Sequence, residues 1–394
     1  MNPVGTQPAG LYVHVPFCSS VCPYCDFAVT IAGEARRDAW AEGVVREAAM
    51  YSAGGLEVET VYFGGGTPST IPFERLAAIA AGLRRHLEIS SDAWWHLEAN
   101  PEDVSAETAA GWRSLGFRFV SLGVQSFDDR TLAFLGRRHS GAQAAAAVGR
   151  LLEAGFDTVS VDLIYGLDGQ SGGDWRRQLE LAVGLGVHHL SCYQLTVHDG
   201  TVFGRRRDRG LLRELAEDDQ AELFFLTHEL LADAGRPAYE VSNFASAPEH
   251  RSRHNLKYWT HAPYLGLGPS AHSFAGGRRW WNLAKLRLWQ AAVDGGAPPV
   301  AGEERPTPRE LLLEHLMLGL RTADGIDPAA LEQRFGVDIV ARNGGVVESL
   351  CASGHLERSG GRLRPTLRGL AVADTLARSF DLETGDDRGP AAVD

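Results

Sequence analysis

Short apolar, β-branched runs alternate with longer amphipathic stretches as far as residue 234. The runs lie at 11–15, 60–63, 96–99, 119–124, 158–164 and 188–195. The amphipathic stretches lie at 34–51, 73–87, 105–115, 141–154, 175–185 and 215–234. Six strand–helix units in a row call for a parallel sheet, because each helix must return the chain to the start of the next strand. Six units are too few for an eight-stranded barrel, so a partial (β/α)6 barrel is predicted, with a doubly wound sheet as the alternative. Both architectures place active sites at the C-terminal ends of the strands, where most of the polar and glycine-rich clusters discussed below fall.

The barrel is assigned to residues 1–236 and a connecting segment to 237–304. The first part of that segment is rich in aromatics, Gly, Pro, His and Asn and has no sustained helical period. Residues 305–381 read as a second, winged-helix-like α+β domain, with helices at 308–321, 328–335, 347–353 and 367–380. Its hairpin is predicted at 355–363 and turns at Gly360-Gly361. Residues 382–394, with Gly, Asp and Pro, read as a disordered tail.

Charge and composition exclude several classes. With 38 basic and 50 acidic side chains the net charge is −12, the wrong sign for a general nucleic-acid binder. Lys257 and Lys285 are the only lysines, so a GxxxxGK[ST] phosphate loop is absent and Schiff-base chemistry has almost nowhere to sit. No apolar run approaches the ~18 residues of a membrane span, and residues 1–10 lack the pattern of a signal peptide. A cytoplasmic location is expected, with peripheral membrane association left open.

Three of the five cysteines crowd into Cys18-Ser-Ser-Val-Cys22-Pro-Tyr-Cys25, just after the first run. Three thiolates at this spacing can wrap one four-iron cluster and leave one iron open to an exogenous chelating ligand. S-adenosylmethionine (SAM) can chelate that iron through its amino and carboxylate groups. Three plainer readings compete: a glutaredoxin-like pair from Cys22 and Cys25, a zinc site with His14, and core packing. The first leaves Cys18 unexplained, the second lacks a second ligand hairpin, and Pro23 and the loop position disfavour the third. Cys192 lies within an apolar run and Cys351 in an apolar helix, so both read as packing residues.

CxxxCxxC after a first strand resembles the radical-SAM superfamily, whose usual scaffold is a partial (β/α)6 barrel. Tyr12-Val-His-Val-Pro-Phe-Cys18, Tyr62-Phe-Gly-Gly-Gly-Thr-Pro68 and Glu98-Ala-Asn-Pro101 resemble its oxygen-independent coproporphyrinogen III oxidase-like branch. So do Leu122-Gly-Val-Gln-Ser-Phe127 and Val161-Asp-Leu-Ile-Tyr-Gly166. The resemblance implies a 4Fe-4S cluster on Cys18, Cys22 and Cys25. It also implies SAM contacts from Tyr12, Tyr24, Gly65, Gly66, Thr67, Glu98, Gln125, Arg137, Asp162, Thr196 and His272. Backbone at Gly64–Thr67 can approach the methionine part of SAM, Glu98 suits ribose hydroxyls, and Tyr24 can pack on adenine. Each has a plainer reading as a tight turn, a cap or a packing residue.

The branch contains a decarboxylating oxidase and a heme chaperone, besides methyltransferases and ring-forming enzymes. Phe27 stands where the oxidase loop typically carries a fourth cysteine, and only about ten residues precede Tyr12. His254-Asn-Leu-Lys-Tyr258-Trp259 matches the HNxxYW motif associated with the chaperones. His254 can ligate heme iron, and Tyr258 and Trp259 can lie against the macrocycle; a satisfied polar histidine in an aromatic turn is the plainer reading. The expectation is a heme carrier for acceptor hemoproteins, respiratory ones among them. The oxidase or another radical-SAM enzyme is the alternative. In the C-terminal domain Arg358, Arg362, Arg364 and Arg368 cluster at the wing. In this context the domain reads as a cofactor cover or docking surface rather than a DNA reader.

Overall fold

The computed structural model describes residues 7–382; the tail expected at 382–394 lies outside them except for buried Leu382. Six parallel strands form the centre of an 11-stranded sheet: β1 (Ala9–Val15), β2 (Val58–Gly65), β3 (Ile89–Ala99), β4 (Phe117–Gln125), β5 (Thr158–Tyr165) and β6 (His189–Gln194). Between and after them come α1 (Glu34–Met50), α2 (Phe73–His86), α3 (Ala106–Ser114), α4 (Asp129–Phe134), α5 (Gly141–Glu153), α6 (Gly172–Gly184), α7 (Val202–Asp208) and α8 (Glu217–Asp233). The six predicted strand–helix units are all present. The short helices α4 and α7 were not foreseen.

Local chemistry sets the helix starts. Ser105, Ser140 and Ser171 each cap a helix and bond reciprocally with the third helical residue, Thr108, Gln143 and Asp174. The last cap starts α6 at Gly172, ahead of the predicted residue 175, despite the Gly172-Gly173 pair. β3 begins at Ile89 rather than 96: Ile89 pairs with Val58 and Trp94 with Thr60, and the polar Ser90-Ser91-Asp92 stretch fills an irregularity between those pairs.

The segment expected to connect two domains instead extends the sheet. β7 (Asn243–Ala245) closes one edge, followed by α9 (Arg253–Trp259). β8 (Tyr264–Leu267) then pairs parallel with β1, and β9 (His272–Ala275), β10 (Arg278–Asn282) and β11 (Val300–Glu304) continue antiparallel. Gly276 and Gly277, with φ of 58° and 69°, make the tight turn between β9 and β10. α10 (Leu286–Asp294) lies between β10 and β11.

A buried carboxylate ties this added edge to α1. Glu47 is fully buried and accepts from Gly268 N at 2.8 Å, Asn282 Nδ2 at 2.6 Å and Trp289 Nε1 at 3.0 Å. Burial pushes its pKa up to about 7, against those three hydrogen bonds.

The chain divides into two units. The first contains residues 1–237, 244–257 and 262–304; the second contains 238–243, 258–261 and the chain from Arg305. The second unit carries α11 (Pro308–Gly319), α12 (Pro328–Phe335), α13 (Ile339–Arg342) and α14 (Gly344–Ala352). The hairpin β12 (Leu356–Ser359) and β13 (Arg362–Pro365) follows. The predicted last helix is broken at Val372 into α15 (Leu367–Ala371) and α16 (Ala373–Arg378). Leu312, Leu316, Ile339, Val347, Leu363 and Leu376 form its core. Among the described residues no helix is long and apolar enough to cross a membrane.

Glu47→Ala should lower the unfolding free energy by at least ~2 kcal/mol, because three buried donors lose their acceptor. The check is the urea midpoint, and an unchanged midpoint would refute the network's importance.

Candidate functional site

The site begins where β1 ends. Pro16 O accepts from Thr30 N at 2.6 Å and Thr30 O accepts from Cys18 N at 3.2 Å, closing the base of the cysteine loop. Cys25 N donates to Cys22 O at 3.1 Å, a tight turn that brings these two cysteines together. His14 anchors the loop from below. Its Nε2 donates to Ala28 O at 2.9 Å, which leaves Nδ1 to accept from Tyr12 OH at 3.1 Å. Both imidazole nitrogens are therefore engaged within the protein, which removes the basis for a zinc site with His14. Pro23 O accepts from Phe203 N at 2.9 Å, and Tyr24 packs beside Phe203 among Leu135 and Ile164.

The loop after β2 runs alongside. Gly66 N donates to Val15 O and Thr67 N to Phe17 O, both at 2.7 Å, and Thr67 Oγ1 lies 3.4 Å from Cys18 Sγ. Gly65 has φ of 105°, and a Cβ there would stand 2.5 Å from the His14 ring. A Cβ on Gly66 would lie 2.6 Å from Phe17 O. The protein's own packing thus requires both glycines.

Arg137, in the turn after α4, reaches the loop from the other side. Its Nη1 lies 3.5 Å from Cys22 Sγ, and its Nη2 donates to Asn100 Oδ1 at 2.6 Å and Gly123 O at 2.8 Å. Its Nε is buried without a hydrogen-bond partner among the described residues. Gln125 ends β4 with φ of 66°, a left-handed conformation uncommon outside glycine and often found at functional sites. A Cβ on Gly123 would lie 3.1 Å from Gln125 Nε2, 3.5 Å from Asn100 Oδ1 and 3.6 Å from Arg137 Nη2. Glycine at 123 thus leaves open a polar cradle.

Two carboxyls complete this end of the sheet. Glu98, near the end of β3, accepts from Tyr62 OH at 2.7 Å and Gly65 N at 3.0 Å. Asp162 on β5 accepts from Ser121 Oγ at 2.8 Å and is also hydrogen-bonded by Ser191. Burial pushes Glu98 up to about 7 and Asp162 to about 6. Burial likewise pushes the Cys18 and Cys25 thiols up, while Thr67 and Arg137 favour the Cys18 thiolate.

Among the described residues no three His, Cys, Asp or Glu side chains gather closely enough to hold one metal ion. In a four-iron cluster each thiolate binds its own iron, so the donors need not converge on one point. Three loop thiols, the Arg137 guanidinium with its orphaned Nε and the open cradle at Gly123 fit a cluster with a small polar ligand beside it. They do not fit a lone tetrahedral ion.

Other expected residues stand apart. Thr196 is exposed after β6 and makes no side-chain hydrogen bond among the described residues. His272 is exposed at the start of β9, its ring stacked near Trp281. His254 is only 1% exposed: Nδ1 pairs with Thr60 Oγ1 at 2.9 Å and the ring stacks on Tyr62 at 5.0 Å. Tyr258 and Trp259 are half-buried and belong to the second unit. Cys192 is buried in β6 and Cys351 lies in α14, as expected of packing residues. Sequence reasoning did not single out Tyr62, Asn100, Ser121 or Ser191. Tyr62 and Asn100 lay within motifs already recognised, which was the available signal.

Residues 12–182 match the Radical SAM superfamily and residues 307–372 the HemN C-terminal domain. The chain is 39% identical over 385 residues to the heme chaperone HemW of Mycobacterium tuberculosis, covering 96% of each chain. It is 37% identical over 334 residues to the heme chaperone HemW of Synechocystis sp., covering 82% of this chain and 81% of the relative. Among solved structures, coproporphyrinogen III oxidase (HemN) from Escherichia coli, a radical SAM enzyme, is similar with a TM-score of 0.81. The identity there is 20%, over 95% of this chain and 90% of that one, a likeness of fold.

The raised pKa of Glu98 gives a signed pH effect. Between about pH 4.5 and 7 the native state keeps a proton that the unfolded chain has released, so this group's contribution to stability falls as pH rises. His189 and His254, held down to about 3 by burial, act in the opposite direction from about pH 3 to 6.5. The Glu98→Gln variant should therefore fall less steeply, since Glu47 and Asp162 keep their shares of the falling component, while the rising one is unchanged. Urea unfolding of both proteins across pH 4–8 checks this, and parallel profiles would contradict it.

Proposed function

Because the chain belongs to the HemW family of radical SAM proteins, we propose that it is a heme chaperone, binding heme and passing it to acceptor hemoproteins, respiratory ones among them. The observation that carries this reading is the likeness to HemW relatives over nearly the whole chain. Phe27 supports it: a 64%-exposed phenyl ring occupies the place of the oxidase's additional cysteine.

Cys18, Cys22 and Cys25 hold a 4Fe-4S cluster in this reading, with SAM beside it. When bound, such a cluster supplies the electron that SAM cleavage requires. The protein's part is binding and orientation. Arg137 offsets the negative charge of the thiolates, and Asn100 and Gly123 fix its guanidinium. Glu98 and Asp162 present carboxyl oxygens to ligand hydroxyls, the donors that can compensate the cost of burying them. Gly65 and Gly66 offer carbonyl oxygens, their amides being spent on Glu98 and Val15; Tyr12, Tyr24 and Gln125 line the approach. No residue is assigned a catalytic role.

The HNxxYW segment divides by exposure. Burial of His254 against Thr60 and Tyr62 favours an anchoring role, holding α9 to the inner face of the sheet. Tyr258 and Trp259 retain aromatic surface for a flat apolar ligand. His254→Ala should then lower the melting temperature by several degrees while leaving the heme absorption band in place. A normal melt with loss of the band would make the imidazole an iron ligand instead.

Substituting Cys18, Cys22 or Cys25 by Ala should abolish stable cluster assembly, measured as iron and sulfide content after anaerobic reconstitution. Cys192→Ala and Cys351→Ala should retain it. The reconstituted protein should hold heme through gel filtration and release no carbon dioxide from coproporphyrinogen III with SAM. Repeated turnover in that assay, with no heme retained, would establish the decarboxylating oxidase in its place.

A further inference from the structure

The outer rim of the cysteine loop has no part in the chemistry above, yet it joins three features that suit one kind of ligand. The first is apolar exposure. Phe27 on the loop is 64% exposed and Leu211, just past α7, is 73% exposed. The two surfaces are tied together because α7 seats Phe203 against Pro23 and Tyr24.

The second feature is positive charge on an acidic chain. Residues 205–209 read Arg-Arg-Arg-Asp-Arg in a protein of net charge −12. Two of these arginines are occupied locally. Arg207 binds Val197 O at 2.9 Å and Asp199 at 2.5 Å, and Arg205 binds Gly200 O at 2.6 Å. Arg206 and Arg209 are exposed, and neither is in an ion pair among the described residues. Arg206 lies over the Phe203 ring, 5.9 Å from its centroid.

The third is an exposed imidazole between them. His198, in the loop from β6 to α7, places Nε2 3.7 Å from Asp26 Oδ2, the residue beside Phe27. At that distance the carboxylate attracts the ring without a hydrogen bond, and the exposed imidazole keeps a nitrogen lone pair that can bind a metal. His254, by contrast, is buried with Nδ1 already engaged.

Exposed apolar side chains, cations and an exposed imidazole beside a carboxylate complement a planar metalloporphyrin with two carboxylate arms. We propose that heme seats on this rim, with His198 as an iron ligand, Phe27 and Leu211 against the macrocycle, and Arg206 and Arg209 toward the propionates. This rests on the heme-chaperone reading and gives its cargo a place on the cluster side of the sheet, outside the SAM contacts. Binding here requires no opening of the buried inner face, whereas binding at His254 does.

The test uses the full chain, anaerobically reconstituted and titrated with hemin. Visible absorption reads the ligand and the titration reads the affinity. His198→Gly should shift the Soret band and weaken binding at least tenfold, and added imidazole should restore the band, a rescue that a misfolded variant would not show. The Arg206→Glu/Arg209→Glu double variant should weaken hemin binding at least tenfold at low ionic strength. The same variant should bind hemin dimethyl ester as wild type does. Wild-type protein that retains no hemin would sink the chaperone reading and this site with it. Hemin retained by wild type and by both variants with unchanged affinity and spectrum would overturn this site alone. Equal loss of the ester and the free acid would overturn the assignment of the propionates to the arginines.

Discussion

Alternation along six parallel strands gives the sheet two chemically opposite faces. Val13, Phe63, Leu97, Leu122, Val161 and Leu190 point one way and are fully buried. Tyr12, Tyr62, His96, Ser121, Asp162 and Ser191 share the other face. The first set supplies the hydrophobic free energy that fixes register, since a one-residue slip would exchange the faces. The second set has no such freedom. Once the apolar face is committed to the helices, the polar residues meet across the inner face: Tyr62 pairs with Glu98 and Ser121 with Asp162 between strands, and Thr60 with His254 of α9, while both ring nitrogens of His96 are buried with no hydrogen-bond partner among the described residues.

That constraint explains why the carboxyls are poised as they are. Glu98 and Asp162 are shielded from water, and burial outweighs the neutral donors that favour their charged forms, so each retains a proton to higher pH than a surface carboxyl would. The charge nearby is Arg137, and its guanidinium is directed at Cys22, Asn100 and Gly123. The site therefore keeps its cation at the thiols and its proton-holding carboxyls deeper along the strands. An incoming ligand with hydroxyls and its own charge would complete interactions that the protein leaves partly unmade.

Sequence patterning disclosed the parts whose signal is local. The six central strands, their principal helices and the three cysteines were legible because apolar runs and CxxxCxxC need no knowledge of partners. The start of β3 was hidden because the polar Ser90-Ser91-Asp92, which has no partner on β2, separates Ile89 from the apolar run that follows. The β8–β11 extension was hidden because its strands are four or five residues long and borrow stability from β1 and from Glu47. Gly276-Gly277 did offer a turn signal there. Side-chain roles were the least legible. His14 has a metal ligand's chemistry and a loop anchor's contacts, and only the positions of Ala28 and Tyr12 distinguish the two.

A fold shared with an oxidase at 20% identity does not transfer its chemistry, because function resides in the groups placed on the scaffold. The sequence resemblance points to one such difference at the cysteine loop. Where another thiol would stand, this chain exposes Phe27. Cys192 does not substitute for it, being buried within β6 with its thiol pushed up by burial. Replacing a soft, redox-active donor by an exposed phenyl ring removes one ligand for metal chemistry at the rim and adds apolar surface there. A protein that turns over a porphyrinogen must enclose its substrate. One that carries heme must present it to an acceptor, and an exposed apolar loop serves the second task better than the first.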